Sequence, residues 1–97
     1  MSTVIKTAVI DWIPHDQGGR WAPPTGLRYS TLVRFGSNAV AGNWSLVVDL
    51  IRSLDGALRW LANVHFLVEE APQHLLVSGA EFTLHEGWKC VAHGRIV

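Results

Sequence analysis

The sharpest alternation of apolar and polar positions lies in the last nineteen residues, 79–97. Residues 81–85 place Phe82 and Leu84 on one side and Glu81, Thr83 and His85 on the other. Period two of this kind predicts a half-buried strand. A second run, residues 89–97, follows a Glu86-Gly87-Trp88 tip, and a glycine-centred tip between two such runs predicts a hairpin. Upstream, residues 4–13 alternate Val4, Lys6, Ala8, Ile10 and Trp12 against Ile5, Thr7, Val9, Asp11 and Ile13. Both faces are fairly apolar, as in a strand covered on two sides. Pro14 ends this strand, and a loop with Gly18-Gly19 and Pro23-Pro24 as breakers runs to Gly26.

Further strands are expected over 27–35, 44–51 and 63–69, the third-strand segment 44–51 being rich in β-branched residues and leucine. Leu54, Leu58 and Leu61 stand at helical spacing, so residues 52–61 read as a loop with one helical turn around Asp55 and Gly56. Residues 72–78 read as an apolar connector with room for a short extra pairing. Six short strands, frequent glycine turns and no convincing amphipathic helix predict an all-β antiparallel barrel or sandwich. Closure into a barrel would remove exposed strand edges. The core is expected from Val9, Trp12, Leu32, Val47, Val64, Phe66, Val68, Phe82, Leu84, Val91 and Ile96.

Composition narrows the function classes. The 97 residues fit a single domain, and 48% apolar against 16% charged residues argues against disorder. Eight basic and eight acidic side chains cancel, whereas a nucleic-acid binder usually shows a large positive excess. DNA is therefore not expected as a partner, and RNA contact would need a local patch. Cys90 stands alone, which fits a reducing compartment, and no run reaches the roughly 20 apolar residues that span a bilayer. A cytoplasmic location without membrane association is the expectation.

The closing hairpin also carries a pattern. Phe82, Leu84, His85, Glu86, Gly87, Trp88, Lys89, Val91 and Gly94 stand in the register of the closing hairpin of the third, C-terminal domain of bacterial elongation factor Tu. Gly79, Asn63-Val64 and Glu69 extend the match backward, and Gly18-Gly19-Arg20-Trp21-Ala22-Pro23, followed by Gly26-Leu27-Arg28 and Arg34, is similar to a second block of that domain. The chain thus resembles this domain over nearly its whole length, most loosely over 36–61. The resemblance implies a closed six-stranded Greek-key-like barrel. It brings no GTPase, because nothing in the chain matches the G-x-x-x-x-G-K-[ST] loop that surrounds phosphates.

In that family the domain contacts the tRNA T-stem backbone and docks onto protein. The tRNA-facing positions correspond here to Arg20, Trp21, His65, His85 and Gly87. Arg20 is kept, but Trp21, His65 and His85 replace histidine, lysine and arginine, which removes fixed charge that phosphate binding needs. With Trp88 and Lys89 these residues make a candidate patch for a protein partner, or alternatively for tRNA-like RNA. The competing reading packs Trp21 into a loop minicore and Trp88 over the barrel end. Cys90 and His93, three apart on a strand, face opposite sides, so neither a metal nor another cofactor is expected. Asp11, His15 and Asp16, and the pair Glu69-Glu70, are the weak catalytic candidates, and the chain is expected not to be an enzyme. Arg28 and Arg34 are expected to pair with Glu69, Glu81 or Glu86.

Overall fold

The computed structural model describes residues 4–14, 28–36, 44–56 and 58–97. Six antiparallel strands close into a barrel: β1 Lys6–Trp12, β2 Arg28–Phe35, β3 Trp44–Asp55, β4 Arg59–Phe66, β5 Glu81–Glu86 and β6 Lys89–Ile96. Their order around the wall is β1-β4-β3-β2-β5-β6. Strands β2, β3 and β4 follow one another as neighbours, and β1 returns beside β4, which is a Greek-key arrangement. Each of the six described strands has a neighbour on both sides, so the closed wall has no edge strand.

Alternation fills the interior. Ala8, Ile10 and Trp12 from β1, Leu46, Val48 and Leu50 from β3, and Ala62, Val64 and Phe66 from β4 are buried in one cluster. Phe82 and Leu84 from β5 join Val91, Ala92 and Ile96 from β6. The rings of Phe66 and Phe82 flank Phe35 at centroid distances of 5.9 and 5.5 Å. Gly94 faces the interior opposite Phe82, whose ring occupies the space a β-carbon would need. One barrel end is closed by the connector after β4, which tucks in Ala71 and Leu76 around a 3-10 turn, Gln73–Leu75. That turn stands where an extra pairing was expected.

Several expectations are corrected. Strand β3 runs on to Asp55, and Gly56 (φ +69°) turns the chain into β4, so 52–61 is a β-hairpin and not a loop with a helical turn. Bulges between Leu50 and Arg52 and between Ser53 and Asp55 interrupt period two. The leucines only mimic helical spacing: Leu54 lies on β3, whereas Leu58 and Leu61 lie beyond the Gly56 turn. Strand β4 stops at Phe66, leaving Val68 exposed and not in the core. Val9 and Leu32 are half-buried on the outer wall, because Ala8, Ile10 and Val33 take the inward positions. Val47 is buried but lies outside the interior cluster. Arg28 pairs with Asp49, its direct cross-strand partner, through Nε at 2.6 Å and Nη2 at 3.1 Å, and not with a glutamate. Leu27 and the Gly18–Pro24 breakers lie outside the described residues.

Candidate functional site

The β5–β6 hairpin presents the candidate surface. Glu86 pairs with Lys89, leaving Gly87 and Trp88 as a two-residue turn. Gly87 has φ +62°, and no non-glycine residue among those described has positive φ. Positive φ at the first central position alone is the II′ pattern, which suits the twist of paired strands and needs glycine there. Trp88 takes the second position and is fully exposed, at 101% of its reference area. It does not cover the barrel end.

The tip is tied to the wall. The Tyr29 hydroxyl donates to the Glu86 carboxylate, and the Thr31 hydroxyl donates to the His85 carbonyl oxygen. Tyr29 also stands edge-on to Trp12, with centroids 5.5 Å apart. The exposed indole therefore projects from a hairpin fixed on one side by β2. His85 is half-buried, its Nε2 2.8 Å from Thr83 Oγ1. Burial, and then the charges of Arg34 and His93, push the His85 imidazole below the usual histidine range.

The structure gathers His85, Gly87, Trp88 and Lys89 on this one hairpin, with Gly87 and Lys89 exposed. His65 stands apart, half-buried on β4 opposite Val47 of β3, and Val47 in turn faces Ser30 of β2. Three strand spacings, roughly 14 Å, separate β4 from β5 in that direction. Arg20 and Trp21 lie outside the described residues, as do His15 and Asp16. Glu69 and Glu70 are both exposed beyond the end of β4. Cys90 is half-buried, and burial raises its thiol pKa more than a backbone hydrogen bond with Ala92 lowers it.

A second feature crosses the outer wall. An open groove of about 880 Å³ is lined by Asp11, Arg59, Glu81, Thr83, His93 and Arg95 among others. Register explains the grouping. Arg34 lies opposite Thr83, Thr83 opposite His93, His93 opposite Asp11 and Asp11 opposite Arg59, one transverse row over five strands. Arg59 Nε holds Asp11 Oδ1 at 2.6 Å. Sequence reading missed this row because hairpin register depends on a bulge. Counting back from the two-residue tip would set Thr83 against Ala92. A shift between Leu84 and His85 sets it against His93 instead. A one-residue slip exchanges the faces, so only the folded register puts His93 beside Thr83.

Compared with family models, curated proteins and solved structures, the chain matches none. No helix among the described residues is long and apolar enough to cross a membrane.

Proposed function

We propose that the chain is a non-enzymatic interaction module that engages a protein partner through the tip of its β5–β6 hairpin. The observation that carries this reading is Trp88, fully exposed on a two-residue turn that is itself anchored by Tyr29 and Glu86. An indole buries 150–250 Å² when covered, roughly, and tryptophan is enriched among residues that dominate binding energy. Holding it on a short, anchored turn limits the ordering cost of association. The residues shared with the third domain of elongation factor Tu support a barrel of that kind, a domain that docks onto protein in its own family.

Fixed positive charge at the tip comes from Lys89, while Glu86 is engaged by Tyr29. Such a surface suits a partially apolar protein face better than a run of phosphates, whose binding scales with the charges neutralised. The test compares the parent protein with Trp88→Ala, each immobilised in lysate of the source cells. The variant should keep its unfolding free energy within about 0.5 kcal/mol, as expected for an exposed position, and should lose the proteins the parent retains. Equal retention by both proteins would refute the reading. A salt-dependent response of His85 and Lys89 amides to bulk tRNA would replace it with RNA-backbone binding, involving Arg20 and Trp21 as well.

A further inference from the structure

A cluster on the outer faces of β2, β5 and β6 lies beyond the hairpin tip. Phe82 and Leu84 point into the barrel, so Glu81, Thr83 and His85 face outward; Gly94 and Ile96 point in, so His93 and Arg95 face outward. Thr83 is the centre. Arg34 opposes it from β2 and His93 from β6, while Arg95 opposes Glu81 and is diagonal to Thr83. Directly opposed side chains start about 4.5–5.5 Å apart and diagonal ones about 7–8 Å. Arg34, His93 and Arg95 are exposed. His85, two residues along β5, shares a hydrogen bond with the Thr83 hydroxyl.

Charge is unevenly placed for a chain of zero formal net charge. Around Thr83 stand two guanidinium groups, those of Arg34 and Arg95, against one carboxylate, Glu81, while the His85 and His93 imidazoles add hydrogen-bonding nitrogens. Asp11, the next acid along the row, is held by Arg59 and so is partly neutralised. Thr83, His93 and Arg95 also line the groove, which gives the cluster a concave floor.

We propose that this cluster binds a phosphate group, with Arg34 and Arg95 reaching it from opposite sides and the Thr83 hydroxyl beneath it. The donors come from three strands and approach from different directions. A tetrahedral phosphate presents oxygens in all of them, whereas a carboxylate presents two in one plane. Guanidinium forks suit phosphate oxygens because their paired N–H donors match the oxygen spacing. When His85 Nε2 carries a proton, its N–H donates a hydrogen bond to Thr83 Oγ1, and the hydroxyl hydrogen is left to donate outward. The phosphate belongs either to a small phosphomonoester or to a nucleic-acid backbone.

The test follows backbone amide shifts of the labelled protein on adding inorganic phosphate, with sodium chloride at matched ionic strength as control. Phosphate should give saturable shifts at Thr83, His93 and Arg95 that chloride does not. Arg34→Gln and Arg95→Gln should each weaken binding by about tenfold, the effect of a lost charge-assisted bond. Lys6→Gln and Trp88→Ala should leave it unchanged, which separates this site from the hairpin tip. A parallel titration with oligothymidylate distinguishes the sources. Tighter binding than phosphate, lost in the same arginine variants, points to a nucleic-acid strand, and binding no tighter points to a phosphomonoester. Shifts equal to those of chloride, or insensitive to both arginine variants, would overturn the proposal.

Discussion

Replacing Gly94 by alanine tests whether the Phe82 ring fills the space that a β-carbon would take. An added methyl would lie 2.2 Å from Phe82 Cζ and 2.3 Å from Cε1, where unstrained carbon contacts need about 3.5–4.0 Å. The ring would have to retreat by roughly 1.5 Å to restore such a contact. It has little room, since Phe82 is buried against Phe35, which in turn packs on Phe66. Overpacking of this kind costs about 1–3 kcal/mol. Removing glycine from the unfolded chain returns about 0.4–1 kcal/mol, because the backbone here does not need positive φ. The net expectation is a loss of about 1–2 kcal/mol, or about 4–15 °C in Tm for a domain of this size. Urea titration followed by tryptophan fluorescence, with a thermal melt alongside, measures it. Phe82→Leu in the same background should relieve the clash, so the double variant should be more stable than the two single losses summed. Gly94→Ala at or above parent stability, or strict additivity with Phe82→Leu, would refute the packing argument.

Other outcomes follow from the same wall. Tyr29→Phe keeps the ring against Trp12 but removes the bond to Glu86, and should cost about 1–2 kcal/mol by denaturant titration; an unchanged midpoint would show that the hairpin is not anchored there. His85 is held below the usual histidine range by burial and by Arg34 and His93, so its folded pKa lies under its unfolded one. Its contribution to stability is complete above about pH 6.5 and is lost as pH falls through the lower folded value. His85→Gln should therefore flatten the stability profile as pH falls below about 6.5, and an unchanged slope would contradict the assignment. Burial raises the Cys90 thiol pKa, so a disulfide reagent at mildly alkaline pH should modify it more slowly than free cysteine. Equal rates would mean that the thiol is open to solvent.

The alternation in residues 4–13 and 81–97 carried β1, β5 and β6, because these strands keep period two through most of their length. The same rule failed at the β3–β4 hairpin, where two bulges interrupt the period of β3 and the helical spacing of Leu54, Leu58 and Leu61 spans the turn at Gly56. It also chose the wrong face twice: at Val9 both sides of β1 are apolar, whereas Leu32 shares its side of β2 with Arg28, Ser30 and Arg34, so alternation itself favoured Val33 and Phe35. At the candidate surface, the tip itself was legible, since Gly87 marked the turn. The exposure of Trp88 was not, because a tryptophan next to a glycine turn can equally well fold back over a barrel end.

By itself the sequence determined the all-β class, the closing hairpin and part of the interior: Trp12, Val64, Phe66, Phe82, Leu84, Val91 and Ile96. These follow from local period, turn residues and apolar content, which act over a few positions. Tertiary structure decided that the sheet closes and that Phe82 occupies the missing side chain of Gly94. It also decided that Arg34, Thr83 and His93 share one row. Barrel closure and the place of Arg34 depend on register between strands distant in the chain, and the Phe82–Gly94 and Thr83–His93 pairings on a bulge within one hairpin. A single bulge shifts that register by one residue and exchanges the inner and outer faces.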